Sequence, residues 1–335
     1  MKTRISVAII ILSIMMTGLV ISCKKDNTSN SSDSTNAANL STQADDQSMV
    51  SDENENVAND VNAALASSVS TNGNSAQVQA RQGQTAVNSV NQVNGVSGDQ
   101  GTLICDATIT LDTTSNPRTL TIVYNGTNCW GNRTRTGTVV ISIAQGVHWM
   151  DQGAVVTVNI QNLKITRIRD SKTITLSGLR TFTNVSGGSL KDLATVGSIT
   201  HTISDSLQIT FADNLTRTWK AAKQRVFTYD NGVVLTITGI HTNGNTTGIA
   251  EWGTNRFGID FTTIVTQPVV IRQDCDFRIV SGQVQILRSD NLTSTIAFGL
   301  DATGNSTGCP GTGNYYLQLT FVTSNGRTYP IILPY

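Results

Sequence analysis

Two carboxylates are the first groups in this 335-residue sequence that could carry out catalysis. From residue 100 onward the chain has a single glutamate, Glu251, and Asp260 follows nine positions later across a predicted hairpin. Two carboxylates on adjacent strands beside Trp252 could act as the acid and base of a glycoside hydrolase. The alternative, which we favour, is that they pair with an arginine such as Arg256 on the sheet surface. A carbohydrate-active enzyme is therefore kept only as an alternative function.

The histidines give no better support for catalysis. His201 precedes Asp205 and Ser206, which are the residue types of a catalytic triad, but nearness along one hairpin does not supply triad geometry. The sequence contains no Gly-x-Ser-x-Gly elbow, no P-loop and no Gly-x-Gly-x-x-Gly motif opening a helix. We therefore predict no catalytic residue and a protein that is not an enzyme.

Four cysteines after Cys23 can form covalent cross-links. An even number of cysteines in an exported chain predicts two disulfides, for which three pairings exist. We favour Cys105–Cys129 and Cys275–Cys309, because each first cysteine precedes an aspartate and each second cysteine lies in a Gly/Asn-rich loop. Zinc binding is not predicted, since neither Cys-x-x-Cys spacing nor a neighbouring histidine is present.

Charge is unevenly distributed along the chain. Residues 24–99 carry 3 basic and 9 acidic residues, whereas residues 100–335 carry 18 and 14. Arginines at a spacing of two share one sheet face, and with tryptophans they could bind an anionic partner or a glycan. Alternatively, the arginines pair with acids and the tryptophans pack in the core. The positive excess is too small to indicate nucleic acid. The candidate binding residues are Arg133, Arg135, Arg167, Arg169, Arg217, Trp130, Trp149 and Trp219.

The first 23 residues have the pattern of an export signal. Two basic residues precede an apolar stretch from Ile5 to Ile21, which is typical of a signal peptide. The end of that stretch, Leu19-Val20-Ile21-Ser22-Cys23, resembles the lipobox of bacterial lipoproteins. We expect diacylglycerol and an N-acyl chain on Cys23, which would attach the protein to a lipid bilayer. An uncleaved anchor helix is the alternative. In bacterial lipoproteins, aspartate directly after the lipidated cysteine commonly retains the protein in the inner membrane. Here that residue is Lys24, so the resemblance favours a location in the outer membrane.

The predicted secondary structure that must position these groups differs from one part of the chain to the next. Residues 23–48, with the lipidated Cys23, are polar and are predicted to form a flexible tether, and residues 49–99 a weak helix and a polar linker. From residue 100 to 335, polar and apolar residues alternate between turn signals. This pattern predicts an all-β domain of about 14–16 strands, arranged as a large antiparallel meander or as stacked sheets.

The chain resembles a functionally uncharacterised Bacteroidota family of outer-membrane or surface lipoproteins with a lipobox, a polar tether and an all-β domain. The matching segments are Cys129 followed by Arg133-Thr134-Arg135-Thr136-Gly137, the strand Thr216-Arg217-Thr218-Trp219, and the region from Phe298 to Leu333. The resemblance covers most of residues 50–335. In the family the last cysteine loop is acidic, whereas here Asp301 stands alone, so we expect no cation site there.

These observations together predict a lipoprotein of the outer membrane, facing the periplasm or the cell surface. Its β domain is expected to bind a protein or glycan partner without catalysis. An accessory subunit of an outer-membrane protein complex is the first alternative. No cofactor, metal or nucleic acid is predicted beyond the acyl groups on Cys23.

Overall fold

The computed structural model describes residues 30–73, 104–309, 313–322 and 328–335, with side chains from residue 38 onward. The described residues form one large antiparallel sheet, and the all-β prediction is confirmed. The fifteen strands of this sheet are β1 (Ala107–Asp112), β2 (Arg118–Thr127), β3 (Arg133–Ile143), β4 (Ala154–Arg167), β5 (Lys172–Asn184), β6 (Ser198–Phe211), β7 (Thr216–Tyr229), β8 (Val233–Gly239), β9 (His241–Asn243), β10 (Thr246–Thr254), β11 (Asp260–Arg272), β12 (Arg278–Arg288), β13 (Thr293–Leu300), β14 (Tyr316–Val322) and β15 (Thr328–Pro334).

The strands pair mostly in chain order, as a meander. Strands β1 to β7 are consecutive neighbours, and so are β11 to β15. Strands β8 and β10 both lie between β7 and β11, at different points along their length. Each of the two pairs with β7 on one side and with β11 on the other. The short strand β9 pairs with β10. The sheet therefore divides locally at the junction of β8 and β10.

Alternation along each strand explains why one face of the sheet is inside. In β6, Ile199, His201 and Ile203 are buried, whereas the intervening hydroxyl residues Thr200 and Thr202 are not. Successive side chains of a strand point to opposite faces, so this pattern places apolar side chains inward and threonines outward. Other long strands, such as β4, repeat it.

In the described residues three α-helices accompany the sheet: α1 (Asn30–Ala66), α2 (Val69–Asn72) and α3 (Leu193–Val196). The prediction of a flexible tether is wrong for residues 30–48, because they form the first half of α1, and the predicted weak helix is the second half. The signal peptide, Cys23 and the linker residues 74–99 lie outside the described residues. No helix in the described part of the chain is long and apolar enough to cross a bilayer.

Helix α1 is buried on all sides rather than along one stripe. Leu40 and Met49 are nine positions apart and therefore lie on opposite faces of the helix, yet each is 1% exposed. The charged residue Glu53 is also fully buried. An ordinary surface helix buries only its apolar face. The sheet therefore curves around α1, and the core lies between the helix and the inner face of the strands.

Candidate functional site

Helix α1 supplies the acidic half of an ionic network inside the sheet. The helix contains no lysine or arginine, and each of its six carboxylates between residues 45 and 60 pairs with a cation from the sheet. Such pairing offsets part of the cost of removing charges from water. The pairs are Asp45 with Arg167 and Lys172, Asp46 with Lys172 and Arg256, Asp52 and Glu53 with Arg133, Glu55 with Lys223 and Arg225, and Asp60 with Arg135.

The arginine pair of β3 shows why the predicted anionic-partner surface is wrong at these positions. Arg133 and Arg135 are less than 9% exposed and face α1. Arg135 donates to both oxygens of Asp106, at 2.7 Å each, and to Asp60 at 2.7 Å. Arg133 donates to Glu53 at 2.5 Å. The acidic partner that the charge pattern indicated is thus a segment of the same chain.

Burial and ion pairing compete in setting the pKa values of the helix carboxylates. Burial raises the pKa of Glu53, although Arg133 opposes it. Burial likewise raises the pKa of Asp60 against the effect of Arg135. At Glu55 burial is outweighed by Arg225 and Lys223, so the pKa of this carboxyl is lowered. The network therefore favours the charged form of Glu55, and the pKa of Asp45 is lowered in the same way by Arg167 and Lys172.

Most of the other candidate binding residues are also engaged within the protein. Arg167 is buried against Asp45 and Asp170. Arg169 donates to the carbonyl oxygen of Pro334 at 2.7 Å. The guanidinium of Arg217 donates to the carbonyl oxygens of Asn255 and Arg256, at 2.9 and 3.0 Å. These arginines fix neighbouring backbone segments rather than forming one surface.

The tryptophans divide into buried and exposed members. The indole of Trp149 is buried and donates to Asn62 Oδ1 of α1 at 3.1 Å. Trp219 is buried and donates to Glu251 at 3.3 Å. The prediction that these two belong to a binding surface is therefore wrong. By contrast, Trp130 is 43% exposed.

The structure separates the two carboxylates considered for glycoside hydrolysis. Glu251 is 1% exposed and accepts a hydrogen bond from Ser51 at 2.8 Å, with Lys223 Nζ 2.6 Å from its carboxylate. Asp260 is exposed and accepts from Thr254 on the outer side of the sheet. Because the carboxylates lie on opposite faces, they do not converge on one substrate.

The three triad residue types on β6 are also kept apart. The carboxylate of Asp205 pairs with Arg180, and Ser206 is exposed on the outer face. His201 is buried between the rings of Trp149 and Phe227, whose centroids lie 4.9 and 5.0 Å away. No base–nucleophile contact is formed, and His201 is a core residue.

Both predicted disulfides are present. Cys105 and Cys129 are bonded, with a Cα–Cα distance of 5.2 Å, and Cys275 and Cys309 are bonded at 5.1 Å. Each bond connects the end of a strand to a glycine-containing loop. The pairing favoured from the repeated Cys-Asp pattern is therefore confirmed.

The two disulfides flank an aromatic pair at the mouth of a cleft. Trp130 follows Cys129, and Phe277 lies two residues after Cys275. Their rings meet edge to face, with centroids 6.4 Å apart and an interplanar angle of 70°. Asn128 closes the loop that contains Trp130, because its Oδ1 accepts from the backbone N–H groups of Asn132 and Arg133. The indole is thus held on an ordered turn.

The opposite wall of this cleft, which we call the Trp130 cleft, comes from α1. The cleft is shallow and open to solvent on one side. Its chemistry is aromatic on one side and amide, carboxylate and guanidinium on the other. The lining residues are Glu53, Asn56, Asn59, Asp60, Asn128, Cys129, Trp130, Arg135 and Phe277.

The backbone beside the cleft is strained. Asp276 and Phe277 both have left-handed φ values, +56° and +52°, a region that costs roughly 1–2 kcal/mol per residue for L-amino acids. The Phe277 N–H donates to the carbonyl oxygen of Arg272 at 3.0 Å, and Cys275 anchors the segment. Strain of this kind persists only where the surroundings impose it, and it clusters at functional sites.

Sequence reasoning identified Trp130 and Arg135 but missed Asn56, Asn59 and Phe277. The asparagines lie in the predicted weak helix, but nothing in its sequence indicated that this helix would form one wall of a cleft. Phe277 could have been found from its place in the sequence. It lies two residues after Cys275, as Trp130 lies directly after Cys129, so each disulfide has an aromatic residue beside one of its cysteines. Comparisons with protein-family models, with curated proteins and with solved structures gave no match for this chain.

Proposed function

We propose that the protein is an outer-membrane lipoprotein, anchored through Cys23, whose β domain binds a glycan without catalysis. The glycan-binding part of this proposal rests on the Trp130 cleft. An exposed indole offers a flat apolar surface for the C–H face of a sugar ring. The amide of Asn56 on α1 offers both donors and an acceptor for the ring hydroxyls. Asn59 offers its amide N–H groups, because its Oδ1 already accepts a hydrogen bond from Arg225 at 2.7 Å.

Export and anchoring rest on separate observations. The two disulfides suit an oxidising compartment, and the signal peptide with its lipobox supports acylation of Cys23. Helix α1 begins seven residues after that cysteine. In this proposal the short connection places the domain beside the membrane, facing the periplasm or the cell surface.

The glycan proposal is tested with an array of bacterial surface polysaccharides and with titration of any positive glycan. We expect Trp130→Ala to weaken binding at least ~10-fold, because the stacking surface is lost. Tyr229→Ala is the control, since Tyr229 is a comparably exposed aromatic residue outside the cleft. Equal binding by wild type and Trp130→Ala would refute the site.

Anchoring is tested independently in cells. Metabolic labelling with an alkyne fatty acid should mark the wild-type chain, and Cys23→Ser should abolish the label and release the protein from the membrane fraction. The alternative of an accessory subunit predicts a stable outer-membrane protein co-purifying with the wild type. If Trp130→Ala removed that partner while glycans failed to bind, the cleft would be a protein interface instead.

A further inference from the structure

A second cavity lies on another side of α1, beneath the place where the sheet divides. It is bounded by the helix and by strands β7, β8 and β10 to β13, and it is open to solvent on one side. The β11–β12 pairing shifts register three times along this wall. Strands β8 and β10, which share one position in the sheet, both contribute side chains to this wall.

Most of the cavity wall is apolar. Ile237 of β8, Ile279 and Val284 of β12, and Phe298 of β13 line it and are all less than 9% exposed. Walls of this kind bind hydrocarbon or aromatic groups, and small-molecule sites typically combine such walls with a few polar groups.

The charged groups at the polar end of the cavity neutralise one another. Lys223 Nζ lies 2.6 Å from Glu251 and 3.4 Å from Glu55, and Arg225 Nε lies 2.9 Å from the second oxygen of Glu55. Two carboxylates and two cations leave no net charge. A charged ligand would have to lose its hydration without gaining a free counter-ion, which is costly.

Two buried polar atoms on the cavity wall have no hydrogen-bond partner among the described residues. They are Oε1 of Gln47 and Oγ1 of Thr263, both on side chains about 2% exposed. The amide nitrogen of Gln47 donates to Glu251, which fixes Oε1 as the free acceptor. Buried polar groups are normally paired, so these atoms indicate a ligand that donates a hydrogen bond.

We propose that this Thr263 cavity binds a small neutral amphiphile, with an alkyl body against the apolar wall and a hydroxyl group bonded to Gln47 and Thr263. The site is separate from the Trp130 cleft, and neither proposal depends on the other. Both sites use side chains of α1 as one wall.

The test titrates 1-octanol and octanoate into the chain from residue 23 onward, carrying Cys23→Ser, by calorimetry at pH 8. We expect saturable binding of 1-octanol and at least ~10-fold weaker binding of octanoate, whose charge would be buried. Thr263→Val keeps the side-chain shape and should weaken 1-octanol binding about fivefold. Thr262→Val is the matched control, because Thr262 immediately precedes Thr263 in β11 and points to the opposite, outer face.

Val284→Phe should fill the cavity and abolish binding of 1-octanol. If this variant does not fold, the comparison of Thr263→Val with Thr262→Val still tests the proposal. Trp130→Ala should bind 1-octanol as the wild type does, which separates this result from the glycan test. The proposal is overturned if 1-octanol gives no saturable heat, if octanoate binds as tightly, or if Thr263→Val and Thr262→Val bind equally.

Discussion

Arg180 and Asp205 lie opposite each other on β5 and β6 and form a bidentate ion pair inside the sheet, with Nε–Oδ1 and Nη2–Oδ2 distances of 2.7 and 2.6 Å. The remaining nitrogen of Arg180 donates to the carbonyl oxygen of Asn54 in α1 at 2.8 Å. One guanidinium therefore joins two strands to the enclosed helix.

Removing one member of this pair should be more damaging than removing both. Arg180→Leu is expected to lower the free energy of unfolding by about 3–5 kcal/mol, because Asp205 is left buried without a counter-charge. The double variant Arg180→Leu/Asp205→Leu should recover at least half of that loss. Urea unfolding of the three proteins provides the measurement, and equal stability of the single and double variants would contradict the interpretation.

The strands and the second half of α1 were predictable from the sequence, whereas the first half of α1 was not, for a physical reason. The alternation in β4 and β6 reflects one buried face, and the sequence shows it directly. In the first half of α1 the buried side chains include Asp46, Gln47 and Ser48, so composition indicated a solvated tether. The missing information was the partner: polar residues can be buried when arginines of distant strands pair with them.

The charge asymmetry was the one signal that could have identified this arrangement. Acids are concentrated before residue 100 and arginines after it. The period-two arginines, such as Arg133 and Arg135, were correctly expected to share a sheet face. Which molecule carried the complementary charge could not be decided without the three-dimensional contacts.

His201 should make the stability of the protein depend on pH. Burial, with a further contribution from the positive charge of Arg225, lowers the pKa of His201 from its ordinary 6.5 to about 3. A depressed folded-state pKa means that the unfolded chain binds the proton first as the pH falls. The stability contribution is therefore complete above pH 6.5 and is lost progressively toward pH 3.

His201→Phe removes this titration while keeping an aromatic ring between Trp149 and Phe227. Between pH 7 and pH 5 the free energy of unfolding of the wild type should fall by about 2 kcal/mol more than that of the variant, since one pKa unit corresponds to about 1.4 kcal/mol. Urea unfolding at both pH values checks this. Parallel changes in the two proteins would show that His201 does not supply the dependence.

The two disulfides should contribute similarly to stability. Their sequence separations are 24 and 34 residues, for which loop-closure entropy gives about 3.5–4 kcal/mol each. Cys105→Ala/Cys129→Ala and Cys275→Ala/Cys309→Ala should each lose an amount of that order in urea unfolding. A variant with all four alanines serves as the control, because its unfolding midpoint should not respond to a reductant that lowers the wild-type midpoint. An unchanged wild-type midpoint after verified reduction would argue against the stabilising role.

Burial of α1 inside the sheet is the central claim, since both sites use this helix as a wall. Native-state hydrogen exchange of residues 40–65 tests it most directly. A polar helix of this kind is marginal in water, so free in solution its amides would exchange almost at once. We predict that these amides open only with the global unfolding of the sheet. Rapid exchange of residues 40–65 while the strand amides remain protected would contradict the account.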